Sequence, residues 1–254
     1  MRLTNVTKNT KFSKKSNQLI TFKLKKKIVV LSGAGISAES GIQTFRDSDG
    51  LWEGHNVEQV ATYEGWLNDK ELVLDFYNQR RKQLKTVKPN AAHDILFQLE
   101  QDFEVSIITQ NVDNLHEKAG CTNVLHLHGE LLKVRSDSNS KIQILDWNND
   151  LNIGDLDQNG IQLRPHIVWF GEMVPALEKA VTIVESADFL LVVGTSLQVY
   201  PAASLMNFAH EDVPVYYVDK NPAAVSNPPL NLKIIANNAS KGLETVYKEL
   251  IKLK

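Results

Sequence analysis

The stretch "KKIVVLSGAGISAESG", Lys26 to Gly41, decides the fold. Its apolar run from Ile28 to Leu31 is too short for a helix and is bounded by lysines on one side and a glycine-containing turn on the other. That is the pattern of a strand buried on both faces. Gly33, Gly35 and Ala38 then satisfy G-x-G-x-x-G/A directly after the strand, where backbone N–H groups and a helix N-terminus can hold a pyrophosphate. Strand, turn and helix start together open an α/β unit.

Similar β-branched runs recur at "VSIITQ" (Val105–Gln110), "NVLHLHG" (Asn123–Gly129), "HIVWFG" (His166–Gly171), "ADFLLVVGTS" (Ala187–Ser196) and "VPVYYVD" (Val213–Asp219). Helical patterns lie among them at Asn90–Gln101, Ala176–Ala187 and Ala239–Leu253. The alternation predicts a doubly wound, mostly parallel, Rossmann-like α/β sheet. Two stretches fit it poorly. Gly50 to Leu84 is helical in pattern but too long for one crossover, so it reads as an inserted helical lobe. Ser136 to Gln162 is rich in Asp, Asn, Ser and Gly and reads as a small, loop-rich excursion. The expected organisation is a disordered basic extension over 1–24 and one domain over 25–254. Its large lobe would comprise 25–45, 88–134 and 163–254, and its small lobe 46–87 and 135–162.

With 43% apolar residues in 254, the chain can bury a large core. Its longest apolar runs, such as "FLLVVG", are far short of the roughly 20 residues that cross a bilayer, and no apolar signal segment opens the sequence. A cytoplasmic protein is expected, without a membrane partner or a specific nucleic acid. Cys121 is the single cysteine, which excludes an internal disulfide and a thiolate cluster. The formal charge of -2 hides an asymmetry: residues 1–27 hold nine Lys or Arg and no acid, leaving 19 basic against 30 acidic residues in the remainder.

The ordinary dinucleotide fold also wants an acidic residue about 20 positions beyond the glycines, at the end of the second strand. Here that distance lands near Glu53, inside the insertion, which disfavours a standard dehydrogenase without disfavouring phosphate binding. "TFRDSDGLW" places Arg46 and Asp47 where a loop could cover a ligand. "TQNVDNLH" puts Gln110, Asn111, Asp113 and His116 at a strand's C-terminal end, where amides and a carboxylate suit sugar hydroxyls and a carboxamide, although helix capping is an equal alternative. "HLHG" sets His126 and His128 on one side of a strand. With no Cys or further His beside them, a general base for at least one is favoured over a metal pair, and a hydrogen-bonded structural role is the default for either taken without context. "DLDQNG", Asp155 to Gly160, imitates half a calcium loop, but position 12 is His166 rather than Glu, so that reading fails. "GTS" (Gly194–Ser196) ends the most apolar strand, and Asp219 and Asn221 end another. In "DFYNQRRKQL" (Asp75–Leu84), Arg80 interrupts an apolar stripe of Val73, Tyr77 and Leu84, either with its stem packed and its head in water or as the reader of an acidic ligand.

Together, "GAGISAESGIQTFR", "TQNVDNLH", "HLHGE", "RPHIVWFGE" and "GTSLQVYPAA", in this order, closely resemble the sirtuin family of NAD-dependent protein lysine deacylases, from about Lys27 to the C-terminus. The resemblance implies that the loop from Gly33 to Trp52 wraps NAD, through Gly33, Ala34, Gly35, Ser37, Ala38, Thr44, Phe45, Arg46 and Trp52. Gln110, Asn111, Val112 and Asp113 would surround the nicotinamide and its ribose, with Asn111 and Asp113 counted as catalytic beside the general base His128. Gly194, Thr195 and Ser196 would bind phosphates and ribose, and Asn221 and Ala239 the adenosine end. In the mechanism so implied, the acyl oxygen of a modified lysine attacks the nicotinamide ribose and forms an alkylimidate. His128 then activates a ribose hydroxyl, and free lysine and O-acyl-ADP-ribose result. "VWFGE", with Val168, Phe170, Gly171 and Glu172, and "GTSLQV" would be two strand edges between which the substrate peptide adds as a strand.

Two features set the chain within that family. Most members hold a small module with zinc on four cysteines, in the region that here runs from Arg135 to Gln162 and has none. The expectation is a metal-free module held by a small core of Ile142, Ile144, Leu145 and Trp147, with no zinc. A subset of mitochondrial and bacterial members carries Tyr-x-x-Arg in the helical lobe and prefers acidic acyl groups; Tyr77 and Arg80 match it. An Arg fork can take the distal carboxylate of a succinyl group. Competing readings are protein mono-ADP-ribosyl transfer and an inactive NAD or ADP-ribose binding module.

Overall fold

The computed structural model describes residues 25–43, 51–52, 54–138 and 142–253. In chain order the strands are β1 (Lys27–Ser32), β2 (Leu51–Trp52), β3 (His55–Asn56), β4 (Glu104–Thr109), β5 (Val124–His126), β6 (Gly129–Ser136), β7 (Ile144–Asp146), β8 (Leu163–Ile167), β9 (Phe189–Val193), β10 (Val215–Asp219) and β11 (Leu232–Ala236). The helices are α1 (Val57–Val60), α2 (Tyr63–Asn68), α3 (Lys70–Thr86), α4 (Ala91–Leu99), α5 (Leu115–Ala119), α6 (Leu177–Glu185) and α7 (Ala239–Leu250).

β1 lies inside a six-stranded parallel sheet of order β11-β10-β9-β1-β4-β5. Side chains alternate across a strand, so Ile28 and Val30 enter the core under α4 and α7 while Val29 and Leu31 enter the core under α6. Both faces are thereby covered, which is why the strand reads as a continuous apolar run. The chain steps from β1 outward to β4 and β5, then returns to the other side for β9, β10 and β11. The order therefore reverses at β1 and β9, and their carboxyl ends open the crevice where ligands bind in such sheets.

A third core joins the helical insertion to the excursion and the segments flanking it: Trp66, Phe76 and Tyr77 pack with Leu151 of the excursion and with Leu131, Val134, Leu163 and Trp169 beside it. Asn78 pins the two together, its side chain giving Nδ2–H to the Leu151 carbonyl (3.0 Å) and taking Leu151 N–H (2.8 Å).

Four local expectations change. "HIVWFG" is not a strand of the parallel sheet: β8 pairs antiparallel with β6, which also pairs with β7. The chain leaves the main sheet at Gly129, where φ is +83° and a Cβ would lie 2.0 Å from the His166 carbonyl oxygen. Only glycine meets both demands. β11, absent from the strand expectations, pairs with β10 at the sheet edge, where Lys233, Ile234 and Ala236 face out. The turn after β1 continues not as a regular helix but as two 3-10 turns, Ala34–Ile36 and Ala38–Ser40, ended by Gly41 with φ +90°. Finally, Ile142 and Ile144 are about half exposed (54% and 49%), whereas Leu145 and Trp147 pack against the third core. β7 is an edge strand, so alternate residues point outward. Among the described residues, no helix is long and apolar enough to cross a membrane.

Candidate active site

At the crevice, the turn after β1 and the turn after β9 pack backbone to backbone. Gly35 N–H donates to the Gly194 carbonyl at 2.8 Å, and Gly33 N–H to Val193 at 3.0 Å. Gly194 has φ +63°, and a Cβ there would meet Ile36 N at 2.3 Å. The glycines of the fingerprint thus let two loops fuse into one floor, a demand separate from any ligand. Ser37 is buried on that floor and Ala38 is exposed at its rim.

The loop after β4 supplies the polar groups. Thr109 Oγ1 accepts Asn111 N–H (3.1 Å), and Asn111 Nδ2–H reaches both the Gly33 carbonyl (3.2 Å) and Ser37 Oγ (3.1 Å). Ser37 in turn donates to Asp113 Oδ2 (3.0 Å), whose other oxygen caps α5 at Leu115 N–H (3.1 Å). Asp113 is 7% exposed, and burial pushes its pKa up against the pull of these donors. Gln110 spans the crevice, giving Nε2–H to Thr195 Oγ1 at 3.2 Å. Thr195 is held from below, its carbonyl accepting the Tyr217 hydroxyl at 2.9 Å. An amide pair, a carboxylate and two hydroxyls on a backbone floor are a mix of donors and acceptors that suits a dinucleotide's ribose and carboxamide.

His128 follows β5. Its Nδ1 lies 3.1 Å from the Gln110 carbonyl, which can only accept, so Nδ1 carries the proton and Nε2 keeps its lone pair. Burial lowers its pKa, with the Gln110 bond opposing, which favours the neutral ring a general base needs. The same strand end ties to the segment after β8, since Val168 N–H donates to the His128 carbonyl at 2.9 Å. Phe170 N–H donates to Ala61 O (2.9 Å), and Gly171 has φ +86°.

Beside Asp113 and Val112 opens a narrow cavity lined also by Ile42, Trp52, Tyr77 and Arg80. Tyr77 is fully buried, and burial first of all raises its pKa far above the ordinary value. Its oxygen accepts Trp169 Nε1–H at 2.9 Å, which leaves its own O–H to donate. Arg80 lies over the Phe76 ring, 5.1 Å from its centroid.

Some sequence candidates stand apart from these groups. The Glu172 carboxylate is clamped by Arg135 (2.9 and 3.1 Å), Arg164 and Trp169 N–H (2.9 Å), so it braces the segment rather than facing a ligand. The Ala239 side chain belongs to the core at the start of α7. Asn221 N–H bonds Asp219 Oδ1 at 2.8 Å, two residues beyond β10 on the same crevice edge. Thr44, Phe45 and Arg46 lie outside the described residues. What the sequence reading missed is the support beneath: the Trp169–Tyr77 bond, and a bridge from His126 to both the Asn111 carbonyl (2.9 Å) and Glu117 (2.8 Å). The i, i+2 spacing of the two histidines was visible, but their partners come from other elements.

The Sir2 family profile matches residues 33–201. This chain belongs to the Sir2 family. A Helicobacter pylori relative named NAD-dependent protein deacylase is 53% identical over 228 residues, which cover 90% of this chain and 99% of the relative. A Bacteroides thetaiotaomicron protein of the same name is 48% identical over 231 residues, covering 89% and 98%. Among solved structures, a Sir2 homologue–NAD complex superposes with a TM-score of 0.79 at 36% identity, over 90% of this chain and 91% of that one. A Sir2 protein bound to acetylated peptide gives a TM-score of 0.72 at 27% identity, over 89% and 93%.

The zinc common in sirtuins does not fit the residues present. The only cysteine, Cys121, is buried beyond α5, with burial pushing its thiol up to about 12. Among the described residues, no three His, Cys, Asp or Glu side chains stand together as a metal site. Hydrogen bonds organise the described part of the module. Asp157 accepts Ser136 Oγ–H (2.7 Å), Asn159 N–H (2.8 Å) and Ile161 N–H (2.9 Å), and Gln162 Nε2 bonds the carbonyls of Asn152, Asp155 and Leu163.

Proposed function

We propose that this sirtuin removes succinyl, malonyl and acetyl groups from protein lysines in the cytoplasm, consuming NAD and releasing nicotinamide and O-acyl-ADP-ribose. The observation that carries the reading is the place of His128, its Nδ1 held by the Gln110 carbonyl, beside the Asn111–Ser37–Asp113 cage at the switch point of the sheet. NAD supplies the sugar carbon that the acyl oxygen attacks as nicotinamide leaves. Asn111 and Asp113 orient the nicotinamide and its ribose, while the loops at Gly33–Ala38 and Gly194–Ser196 carry the phosphates and sugars. His128 Nε2 takes the proton of a ribose hydroxyl, a step for which general-base catalysis contributes roughly 10² to 10⁴ in rate. Val168 to Gly171 offers one edge to the peptide, so main-chain pairing supplies affinity while tolerating many protein sequences. In the cavity beside Asp113, the Arg80 fork and the Tyr77 hydroxyl bind the distal carboxylate of a succinyl group. A plain acetyl group leaves those donors to water, so it is turned over less well.

Incubation with NAD and a succinyl-lysine peptide tests the reading. Nicotinamide release with deacylated peptide is the expected result. Label transferred from NAD onto protein would favour ADP-ribosylation, and tight NAD binding without turnover would favour a binding module.

A further inference from the structure

His126 has two hydrogen-bond partners, and both can only accept. Its Nδ1 lies 2.9 Å from the backbone carbonyl of Asn111, and its Nε2 lies 2.8 Å from Glu117 Oε1. A neutral imidazole has one N–H, so it can satisfy one acceptor and would set its lone pair against the other. The ring therefore satisfies both only as the imidazolium. The opposite arrangement, a protonated Glu117 donating to a neutral ring, is disfavoured because the Glu117 side chain is 39% exposed to solvent. His126 itself is 7% exposed in its side chain, so this charge sits at the base of the cage loop rather than on the surface.

We propose that the His126–Glu117 pair is a charged strut that fixes the Gln110–Asp113 loop from behind, making His126 a positioning residue for deacylation. The inference rests on the assignment of Asn111 and Asp113 to the nicotinamide cage. Asn111 is then gripped on three sides: its N–H by Thr109, its side-chain amide by Gly33 and Ser37, and its carbonyl by His126. The imidazolium also favours the ionised form of the buried Asp113. His128, two residues on, bonds a single carbonyl, and burial lowers its pKa. One strand end thus holds a fixed cation and a free base.

The other charged groups around His126 bear on how long it keeps its proton. Glu130 and Lys133 of β6 face the same pocket and pair with each other at 2.8 Å, so their fields largely offset. His166 of β8 lines the pocket, and His116 of α5 lies behind; burial lowers the pKa of both, so neither competes as a cation at neutral pH. For His126, burial opposes the charge, but the Glu117 bond and charge and the Asn111 carbonyl outweigh it and raise the pKa above the ordinary value.

Glu117→Gln keeps an oxygen for Nε2–H but removes the anion that holds the charge. The variant should match wild-type kcat at the acid end of the profile, where His126 regains its proton, and fall about tenfold below it by pH 8, less than the roughly 10²-fold that a 1 Å misplacement of a catalytic group costs. KM for the peptide should stay unchanged. Long-range ¹H–¹⁵N spectra of the wild-type protein at pH 7 should show His126 protonated on both nitrogens. A neutral ring in those spectra overturns the strut, whether or not the variant folds. A charged ring with a kcat ratio that does not vary with pH overturns the positioning role. Wild-type turnover by Asn111→Ala would instead overturn the cage assignment, and with it the strut's catalytic consequence.

Discussion

His126 and His128 differ in what they can do because they differ in partners, not in residue type. A single carbonyl on Nδ1 makes His128 a base with a lowered pKa. His128→Ala should therefore abolish deacylation while NAD affinity, measured by calorimetry, stays within about twofold, since general-base loss removes roughly 10² to 10⁴ in rate and no binding contact. Because burial depresses the pKa, wild-type activity should hold below pH 6.5 and fall only as the pH drops through that lowered value; an acid limb above 6.5 would contradict it. The proposed acyl reader has its own test. Arg80→Met should lower desuccinylation by about 10² or more and leave deacetylation within a few-fold if, as proposed, only the succinyl carboxylate uses the fork. If both activities fall alike, Arg80 merely packs on Phe76. From the sequence, Arg80 could be read only through the motifs around it, since its spacing fits a packed stem equally well.

At the level of elements, the parallel strands were legible because burial on both faces leaves an uninterrupted apolar run. β11 was not, because an edge strand with outward Lys233 and Ile234 carries neither that run nor a clean alternation. β8 was legible as a strand but not in its sheet, since pairing with β6 is fixed by the Gly129 turn, a conformation invisible to composition. That turn makes a sharp demand. Gly129→Ala must place a Cβ 2.0 Å from the His166 carbonyl in a left-handed backbone, at a cost of about 3 kcal/mol or more. For a chain of this size that is roughly 6–12 °C in Tm, readable by calorimetry; a drop under 2 °C would mean that β6 and β8 can separate freely. The excursion yields a second prediction. With Asp157 and Gln162 organising its loops and no thiolate available, purified protein should carry well under one zinc per chain by elemental analysis, and chelator treatment should leave Tm unchanged. Stoichiometric zinc would sink the metal-free reading.

For the molecule as a whole, the buried histidines set how stability follows pH. His93 is completely buried at the start of α4, its Nδ1 accepting Asn90 N–H at 3.3 Å, and its ring stands edge-on to His116 with centroids 5.0 Å apart. His116 bonds Ser32 at the end of β1 at 2.9 Å, so the pair sits directly beneath the active-site floor. Burial lowers both pKa values, that of His93 to about 4 and that of His116 well below the ordinary one. Below pH 6.5 the unfolded chain binds protons that the folded chain refuses, so stability falls as the pH falls; the loss from His93 alone is complete below about pH 4 and amounts to roughly 3 kcal/mol. His126 works in the opposite sense, stabilising the fold at low pH and losing that contribution as the pH rises through its raised value. Tm should consequently decline steadily from pH 7 to pH 4.5. His93→Gln, whose amide can still accept Asn90 N–H and does not titrate, should flatten that slope even if it lowers Tm at pH 7. An unaltered slope in the variant would place the acid sensitivity elsewhere in the molecule.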